Sequence, residues 1–222
     1  MHPRIAKLLQ RYVGLNLYRV LVRPLGRAPA GAPIGGIRVE LIEEAALLAH
    51  CADPELELSP ASAREAFARG DVCAGVLQGD RLLGYAWFAF AATPESGGIW
   101  VDFAPQAIYT YRHFVRPGHR GRRLVSGLLA AADARAMESG RASCLTLVYT
   151  HNKASIRATE RSGARTVGYA ACLKLFGRLL CWRSAGVRRQ QLRFYRPQSN
   201  LRPFSFAMRR LASMLATTAP RN

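Results

Sequence analysis

The sequence predicts an α/β protein with a mixed, largely antiparallel sheet of six to seven strands and helices on both faces. Half of its 222 residues are apolar, which is enough for the core of one domain with extensions. The stretch VCAGVLQGDRLLGYAWFAFA reads as two strands joined by a Gly79-Asp80 turn, which is a hairpin signal. From Ala107 to Phe176, strand and helix patterns alternate as they do in a βαβ unit. Early hairpins followed by a βαβ unit indicate the mixed sheet.

Residues 1–27 are predicted to form a basic amphipathic helix. Apolar side chains recur at helical spacing, and Arg4, Lys7 and Arg11 fall on the other side. The apolar positions are Ile5, Leu8, Leu9, Tyr12 and Val13. Such a helix either packs on the domain or binds a membrane surface or a polyanion, and both alternatives stay open. Residues 28–36, APAGAPIGG, follow as a linker.

The domain itself is predicted to span residues 37–184. IRVELI alternates as a strand, and EEAALLAHC follows as a short helix. Ser59 is a helix N-cap with Pro60 at the first helical position, and Gly70 closes that helix. The hairpin comes next. The remaining predicted elements are a loop at 93–106, a strand at 107–115, a helix at 119–139, a strand at 142–150, a helix at 152–163 and the strand TVGYAACLKLF.

Residues 185–222 are predicted to form a basic C-terminal extension. VRRQQLRFY reads as a strand or a helix, and RPFSFAMRRLASMLA spaces its apolar residues as a second basic amphipathic helix. Trp182, Phe194 and Tyr195 are interleaved with arginines. They either stack on nucleic acid or belong to a last strand packed on the sheet, and the packed strand is the favoured interpretation.

The positive charge is confined to the two ends of the chain. The net charge is +18, yet residues 36–160 hold thirteen basic and fourteen acidic residues. Residues 1–35 carry six Arg and Lys and no acid, and residues 161–222 carry thirteen and no acid. Charge on terminal segments predicts an anionic partner, such as a membrane surface or an acidic macromolecule, rather than a basic chemistry.

The composition predicts a cytoplasmic protein that needs no metal. The five cysteines are scattered without metal-ligand spacing, which is typical of reduced, mostly buried thiols. No apolar run approaches the roughly 20 residues of a membrane-spanning helix, and the N-terminus does not read as a signal peptide. Peripheral association with a membrane through the basic ends is compatible with this prediction.

A basic turn follows the strand at 107–115, in the stretch YTYRHFVRPGHRGRRLVSGLL. A glycine-containing turn at a helix N-terminus presents backbone N–H groups, and the helix dipole adds positive potential there. Arginine side chains add donors that suit phosphate oxygens. The turn therefore predicts a diphosphate site between a strand and a helix. Its basic residues are Arg116, His119, Arg120, Arg122 and Arg123, with Gly118 and Gly121 between them.

The order of the elements and this turn resemble the GCN5-related N-acetyltransferases, which use acetyl-CoA. That family carries the signature V-x-P-x-x-R-G-x-G-x-G between a strand and a helix, and a second signature at the next helix, about 30 residues on. The first is matched by Val115, Pro117, Arg120, Gly121, Leu128 and Leu129. The second is matched by Asn152, Ser155, Ile156, Glu160, Arg161 and Gly163. The resemblance covers roughly residues 36–176.

The resemblance implies how acyl-CoA is held. The sheet would splay between the strands at 107–115 and 142–150, leaving a slot for pantetheine. The backbone of Phe114 and Val115 would pair with the pantetheine amides. Asn152 would hydrogen-bond the cofactor arm, with Ser155 in the same cofactor-binding set, and Asn152 would also serve as a helix N-cap. The pyrophosphate would be cradled by Arg120, Gly121, Arg122, Arg123, Leu124 and Val125.

The sequence departs from the family where acid–base chemistry is expected. Thr159 stands where a tyrosine commonly protonates the leaving thiolate, and Tyr109 stands where an acidic general base is often found. Arg123 and Val125 replace loop glycines, and Val125 narrows the approach of CoA. These departures leave the general acid and base open.

Other side chains are candidates for these roles. By strand alternation Tyr109, Tyr111 and His113 are expected to share one face, and His113 titrates nearest to working pH, which makes it the better base. Tyr109 joins it as a catalytic candidate, and Tyr111 as a substrate-binding one. The next strand ends in Tyr149 and His151, which could donate to the thiolate. Two loop acids, Glu95 and Asp102, could hold a cationic amine. For each of these residues a purely structural role is the alternative.

The predicted function is an acyl-CoA-dependent N-acyltransferase, with acetyl-CoA as donor and a small amine or amino-acid-derived acceptor. Two alternatives stay open. One is acylation of a polyanion such as aminoacyl-tRNA, or use of an acyl carrier protein as donor. The other is a catalytically degenerate family member that acts as a binding module. Nucleic acid is the less favoured partner of the basic ends.

Overall fold

The computed structural model describes residues 14–26, 36–121, 124–176 and 178–197. The strands are β1 (Leu15–Pro24), β2 (Ile37–Ile42), β3 (Val72–Gln78), β4 (Arg81–Ala89), β5 (Thr93–Pro94), β6 (Trp100–Asp102), β7 (Ala107–Val115), β8 (Ser143–Tyr149), β9 (Arg165–Leu175), β10 (Arg178–Arg183) and β11 (Arg193–Tyr195). The helices are α1 (Glu44–His50), α2 (Pro60–Ala68), α3 (Leu124–Glu138), α4 (Lys153–Arg161) and α5 (Ala185–Arg189). Among these described helices, none has the length and hydropathy needed to cross a bilayer.

The predicted α/β fold is confirmed, with more strands than expected. Within the described residues the main sheet has eight strands, in the order β10-β9-β1-β8-β7-β4-β3-β2, and a small sheet has the order β11-β6-β5. In the main sheet, neighbouring strands are antiparallel except for the parallel pair β7 and β8. In the main sheet the prediction lacked β1 and β10, and the predicted loop at 93–106 contains the short strands β5 and β6.

Helices cover both faces of the main sheet. On one face α1 and α2 pack Leu47 and Ala63 against Trp87 of β4. On the other face α3 packs Leu128 against Ile108 of β7. This division matters for the site, because successive residues of β7 point alternately to these two faces.

The predicted N-terminal helix is wrong from Leu15 onward, because these residues form β1. This strand lies inside the sheet, antiparallel to β8 on one side and to β9 on the other. An interior strand can be apolar on both faces, so its apolar residues do not alternate strictly with polar ones, and periodicity does not separate it from a helix. Residues 1–13 and most of the predicted linker, residues 27–35, lie outside the described residues.

A buried ion pair ties β1 to α3. Arg23 and Asp133 form two hydrogen bonds of 2.6 Å, and both side chains are almost completely buried. Asp133 also accepts a hydrogen bond from the Gly26 amide at 2.9 Å. A paired, bidentate geometry is the arrangement in which a buried arginine is tolerated. An arginine that interrupted the apolar pattern of the sequence is therefore part of the core.

The chain after residue 184 also packs on the domain, so the predicted C-terminal extension begins too early. Val187 and Leu192 are fully buried in the cluster that contains Tyr18 and Tyr109. Phe194 stacks on Tyr18, with ring centroids 5.8 Å apart. VRRQQLRFY contains both predicted alternatives, the end of helix α5 and strand β11. Residues 198–222, including the second predicted amphipathic helix, lie outside the described residues.

Two local signals are confirmed. The predicted hairpin is formed by β3 and β4, with Gly79 in the connecting turn. Ser59 caps α2, where its side chain accepts a hydrogen bond from the Ser62 amide at 3.4 Å and Pro60 occupies the first turn. Both features depend on a few adjacent residues, which is why the sequence predicts them.

Candidate active site

The main sheet opens between β7 and β8, as predicted. These two parallel strands stay paired only as far as Thr110↔Thr146. Beyond this pair β7 continues to Val115 and β8 to Tyr149, with no further pairing between these described strands. The backbone groups of β7 that face β8 after Thr110 are therefore open to an extended ligand.

A bulge in β7 accompanies this opening. Arg112 has a φ of 48°, which is uncommon for a residue other than glycine, and the pairing of β7 with β4 shifts register there. One extra residue in a strand reverses the faces that the following side chains take. The prediction that Tyr109, Tyr111 and His113 share one face is therefore wrong for His113.

His113 lies on the same face as Thr110, the face that α3 covers. Its Nε2 is 2.5 Å from Thr110 Oγ1, and that hydroxyl donates to the Trp87 carbonyl at 3.2 Å. Part of the residue is exposed, but desolvation of the ring lowers the pKa of His113 to about 4. An imidazole whose pKa is lowered to about 4 is a weak proton acceptor, and the ring points away from Tyr109 and Tyr111, so His113 is poorly suited to the role of base.

Arg116, one of the basic residues of the strand-to-helix turn, is buried and engaged by protein groups. Its Nε donates to the Leu82 carbonyl at 2.8 Å, and its two terminal nitrogens pair with Asp53 and Glu55. The guanidinium lowers the pKa of Asp53. Arg116 thus fixes the turn to the Pro54–Leu56 segment instead of contributing to a phosphate site.

The rest of the turn leads into the N-terminus of α3. Gly121 has a φ of 81°, a conformation that favours glycine. Arg120 is exposed, and its Nε donates to the Val115 carbonyl at 3.0 Å. Leu124 opens α3 as a buried residue, and Val125 packs beside it. Arg122 and Arg123 lie outside the described residues, so their predicted contacts with phosphate stay predictions.

The described geometry fits the acyl-CoA that the resemblance implies. An open strand edge offers backbone groups to the pantetheine amides, and the adjacent helix N-terminus suits a pyrophosphate. Phe114 and Val115 lie on this edge, and the Phe114 ring stacks on Tyr85 with centroids 5.6 Å apart. The Val115 carbonyl already accepts one hydrogen bond from Arg120, and a carbonyl oxygen has a second lone pair for a ligand.

The N-terminus of α4 borders the end of β8. Asn152 caps this helix, because its Oδ1 accepts a hydrogen bond from the Ser155 amide at 3.1 Å. The structural role of Asn152 is therefore present, while the cofactor-binding roles of Asn152 and Ser155 stay predictions. Thr159, at the position of the family tyrosine, is half-buried on the same helix.

A half-buried carboxylate lies against Tyr109, on the face of β7 opposite to His113. The hydroxyl of Tyr109 donates to Glu95 Oε2 at 2.6 Å. Burial raises the pKa of Glu95, although the hydrogen bond from Tyr109 and the nearby Arg112 oppose that rise. The pKa of Tyr109 is raised well above its ordinary value by burial and by the same carboxylate. Position 109 itself has no acidic side chain, but Glu95, from the loop between β5 and β6, thus places a carboxylate beside it.

Tyr111 belongs to a second buried network, with Asp71 and Arg69. Asp71 Oδ2 accepts hydrogen bonds from Tyr111 at 2.7 Å, from Arg69 at 2.8 Å and from Thr93 at 3.4 Å. Burial raises the pKa of Asp71 despite these donors. Asp71 Oδ1 and Arg69 Nε are buried without a hydrogen-bond partner among the described residues. Such atoms are costly to bury, so this network is suited to further polar ligands.

A chain of hydroxyl groups lies at the end of β8. Tyr149 is 2.7 Å from Ser96 Oγ, which is 3.4 Å from the hydroxyl of Tyr18. Tyr149 also stacks on Tyr18, with centroids 5.0 Å apart, and on His151 at 5.5 Å. Ser96 follows Glu95 directly, so one loop contacts both Tyr109 and Tyr149.

A cavity of about 130 Å³ lies between α2 and the bulged part of β7. It is bordered by charged groups of both signs, with Glu65 and Glu95 against Arg69 and Arg112. The complete lining is Leu58, Ser59, Ser62, Ala63, Glu65, Ala66, Arg69, Trp87, Pro94, Glu95, Tyr111 and Arg112. The cavity therefore suits a small acceptor that carries charge.

The structure brings together some of the predicted site residues and separates others. Glu95, Tyr109 and Tyr111 surround one region, and Tyr149 joins it through Ser96. Asp102 lies in β6 instead of a loop, and its Oδ1 accepts a hydrogen bond from the Phe103 amide at 3.0 Å. None of the described contacts connects Asp102 to Glu95.

The sequence analysis missed four residues of this region: Tyr18, Arg69, Asp71 and Ser96. Asp71 had a weak signal, because a carboxylate directly precedes the apolar run VCAGVL. Tyr18 was hidden by the predicted helix. Arg69 and Ser96 had no sequence signal that distinguishes them from surface residues. Among the described residues, no three His, Cys, Asp or Glu side chains converge on a point where a metal ion could bind.

A protein-family model described as the acetyltransferase (GNAT) family matches residues 36–164. No curated protein matches the chain. A conserved protein of unknown function from Staphylococcus epidermidis has a similar structure, with a TM-score of 0.50 at 7% identity, over 74% of this chain and 63% of that one.

Two further solved structures are similar at lower scores. A GCN5-related N-acetyltransferase from Sphaerobacter thermophilus has a TM-score of 0.48 at 12% identity, over 81% of this chain and 56% of that one. An aminoglycoside N-acetyltransferase in complex with CoA has a TM-score of 0.43 at 18% identity, over 60% of this chain and 90% of that one. The chain thus spans less than two thirds of the Staphylococcus and Sphaerobacter proteins. At these identities the likeness concerns the fold alone.

Proposed function

Because the chain belongs to the acetyltransferase (GNAT) family, we propose that it is an acyl-CoA-dependent N-acyltransferase, with acetyl-CoA as donor and a small amine or amino-acid-derived acceptor. The observation that carries the proposal is the half-buried Glu95 carboxylate, which borders the cavity and accepts a hydrogen bond from Tyr109. A carboxylate at this place can accept a proton from an amine that approaches the open edge of β7.

Glu95 is assigned as the general base. The bound cosubstrate supplies an acyl group activated as a thioester. The acceptor amine must lose a proton as its nitrogen bonds to the acyl carbon, and a carboxylate with a raised pKa is a better proton acceptor than an ordinary one. Tyr109 holds Glu95 in place, and its own raised pKa keeps the phenol protonated as a donor.

Tyr149 is assigned as the acid that protonates the departing sulfur. It ends β8 where the strand borders the opening, and Ser96 Oγ lies 2.7 Å from its hydroxyl. Ser96 holds the Tyr149 hydroxyl in place, and the proton that Tyr149 gives up is replaced from solvent through the opening between β7 and β8. Because Glu95 and Ser96 are adjacent, a single loop would position both the base and the acid.

The charges of the cavity support an acceptor with an amine and a carboxylate. Glu65 and Glu95 suit the ammonium group before it loses its proton. Arg69 and Arg112 suit a carboxylate, and Arg69 Nε is a buried donor without a partner among the described residues. We therefore propose an amino acid or a small derivative of one as the acceptor.

The test is a thiol-release assay with acetyl-CoA and a panel of amines and amino acids. Glu95→Gln is expected to lower kcat by about 10²-fold or more, the size of effect typical of a general base. Glu65→Gln is the matched control, because Glu65 borders the same cavity without the hydrogen bond from Tyr109, and it is expected to change KM more than kcat. Absence of saturable thiol release across the panel, or an unchanged kcat in Glu95→Gln, would overturn the assignment.

A catalytically degenerate binding module is the second candidate. The departure that favours it is Thr159, which is half-buried on α4 at the position where the family commonly has the tyrosine that protonates the leaving thiolate. Isothermal titration with CoA, combined with the thiol-release assay, distinguishes the two. Saturable binding without turnover supports the module, and saturable turnover excludes it. Turnover that falls steeply with added salt would instead favour a polyanionic acceptor or an acidic carrier protein.

A further inference from the structure

One edge of the main sheet exposes a group of large apolar side chains. On β10, Leu180 lies opposite Leu173 and Trp182 lies opposite Ala171, so these side chains share one face of the sheet. Trp182 is 57% exposed, and Phe176, at the turn between β9 and β10, is 94% exposed. We call this surface the docking face. It consists of Tyr169, Leu173, Leu175, Phe176, Leu180 and Trp182.

A basic stripe lies on the same side of the sheet. Helix α4 covers this side, because Ile156 packs on Leu21 of β1. Its Lys153, Arg157 and Arg161 are exposed and spaced by four residues, which places them on one face of the helix. On the hairpin, Arg178 is also exposed and lies opposite Leu175 in the register of β9 and β10.

Negative charge is scarce around this surface. Residues 161–222 contain no Asp or Glu, so neither β9 nor β10 contributes an acid. On α4, Glu160 pairs with Arg19 at 3.3 Å. The surface therefore combines exposed apolar side chains with positively charged ones.

We propose that the docking face binds the surface of an anionic lipid bilayer. Aromatic side chains such as Trp182 and Phe176 suit the boundary between headgroups and acyl chains, and arginines suit lipid phosphates. Surface charge of one sign matches a partner that is negative throughout. A second copy of this chain would oppose the same basic charges, which disfavours a symmetric dimer through this face.

Docking through this face is independent of the proposed acyl transfer. The cavity beside Glu95 lies on the opposite side of the sheet, between α2 and β7, where Trp87 and Tyr111 point. A chain bound to a bilayer through β9 and β10 would keep this cavity open to the aqueous side. The two proposals can therefore fail separately.

The test is co-sedimentation of the full chain with sucrose-loaded vesicles, either of phosphatidylcholine with phosphatidylserine or of phosphatidylcholine alone. Phe176→Ser is expected to weaken binding to the anionic vesicles about tenfold, because one buried aromatic contact is lost. The double variant Arg157→Gln/Arg178→Gln is expected to weaken it about 30-fold, because two charges are removed. Leu41→Ser is the matched control, because Leu41 is a half-exposed apolar residue on β2, at the other edge of the sheet.

Several outcomes would overturn the proposal. Equal binding to both kinds of vesicle would overturn it, and so would no binding by the parent chain. Unchanged binding by both variants would also overturn it, because the binding would then be assigned to the basic terminal segments. Loss in the charge variant alone, with equal loss of RNA binding, would indicate a polyanion site. A parent dimer in sedimentation velocity that Phe176→Ser dissociates would indicate an interface between copies. Phe176→Ser keeps its soluble thiol release and its melting temperature if the proposal holds, since its side chain is almost fully exposed.

Discussion

The two edges of β8 differ in how far they are paired. Toward β1, pairing runs along the whole of β8, from Pro24↔Ser143 to Tyr18↔Tyr149. Toward β7, it stops at Thr110↔Thr146. The same strand therefore borders a closed seam on one side and an opening on the other.

The difference comes from the neighbours of β8 and not from β8 itself. On the closed side, the Arg23–Asp133 pair fixes β1 to α3, and Tyr18 stacks on Tyr149. On the open side, the bulge at Arg112 turns β7 away from its partner. A slot in a sheet can thus be made by one residue in a left-handed conformation while the adjacent seam keeps the sheet together.

The largest expected effect comes from breaking the closed seam. Asp133→Ala would leave the buried Arg23 without its partner, and we expect a loss of about 3–5 kcal/mol in the free energy of unfolding. Urea denaturation measures it. Glu138→Ala is the control on the same helix, because Glu138 is exposed and its pair with Arg135 is worth less than about 1 kcal/mol. Equal losses in the two variants would mean that the buried pair does not hold the seam.

A smaller effect is expected from crowding the open edge. A Cβ on Gly84 would lie 2.8 Å from the Phe114 carbonyl oxygen and 3.3 Å from Val115 Cα, both backbone atoms of β7. Gly84→Ala is expected to cost about 1–3 kcal/mol in stability and to weaken CoA binding in isothermal titration, because it displaces the edge that we propose pairs with pantetheine. Gly118→Ala is the stability control, since a Cβ there meets nothing within 4 Å. Unchanged CoA affinity in Gly84→Ala would contradict the placement of the cosubstrate.

The pH dependence of turnover tests the assignment of Glu95 as the general base. A base must be deprotonated to act, so kcat/KM is expected to rise about tenfold per pH unit up to the pKa of Glu95, and then to level off. Since burial raises that pKa, the inflection should lie above the ordinary range of a carboxyl group. The residual activity of Glu95→Gln should lack this limb. A limb that survives in the variant would assign the titration to another residue.

The smallest effect is expected at His113. Its ring contacts Thr110 on the face that α3 covers, and its pKa is lowered to about 4, so it is neutral on both sides of neutral pH. His113→Gln is expected to change kcat by no more than about twofold, a free-energy change below about 0.5 kcal/mol, with the pH profile unchanged. A large loss of kcat, with the fold intact by circular dichroism, would restore His113 as a catalytic residue.

Features set by adjacent residues could be predicted from the sequence. The β3–β4 hairpin, the Ser59 cap and the helix that follows the basic turn all depend on local signals, and all are present. The opening between β7 and β8 was predicted as well, through the family signatures that flank it. The hairpin, the cap and the helix were predicted because the residues that determine each of them lie close together in the chain, whereas the opening was predicted from the family resemblance alone.

Features set by distant partners could not be predicted. Leu15–Pro24 reads as a helix because its burial on both faces removes the strand alternation, and its strand pairing depends on β8 and β9. The bulge at Arg112 has no sequence marker, so the alternation rule misplaced His113. The contact between Tyr109 and Glu95 joins two elements whose register becomes visible only in three dimensions.

The position of β1 also bears on how the protein is made. This strand is synthesised long before its two neighbours, which begin only at Ser143 and Arg165. Until both have been synthesised, β1 is a largely apolar segment with two unpaired hydrogen-bonding edges. Chaperones bind segments of this kind. The sheet around β1 would then be completed long after β1 itself is made, and chains that stop before residue 143 would be prone to aggregate.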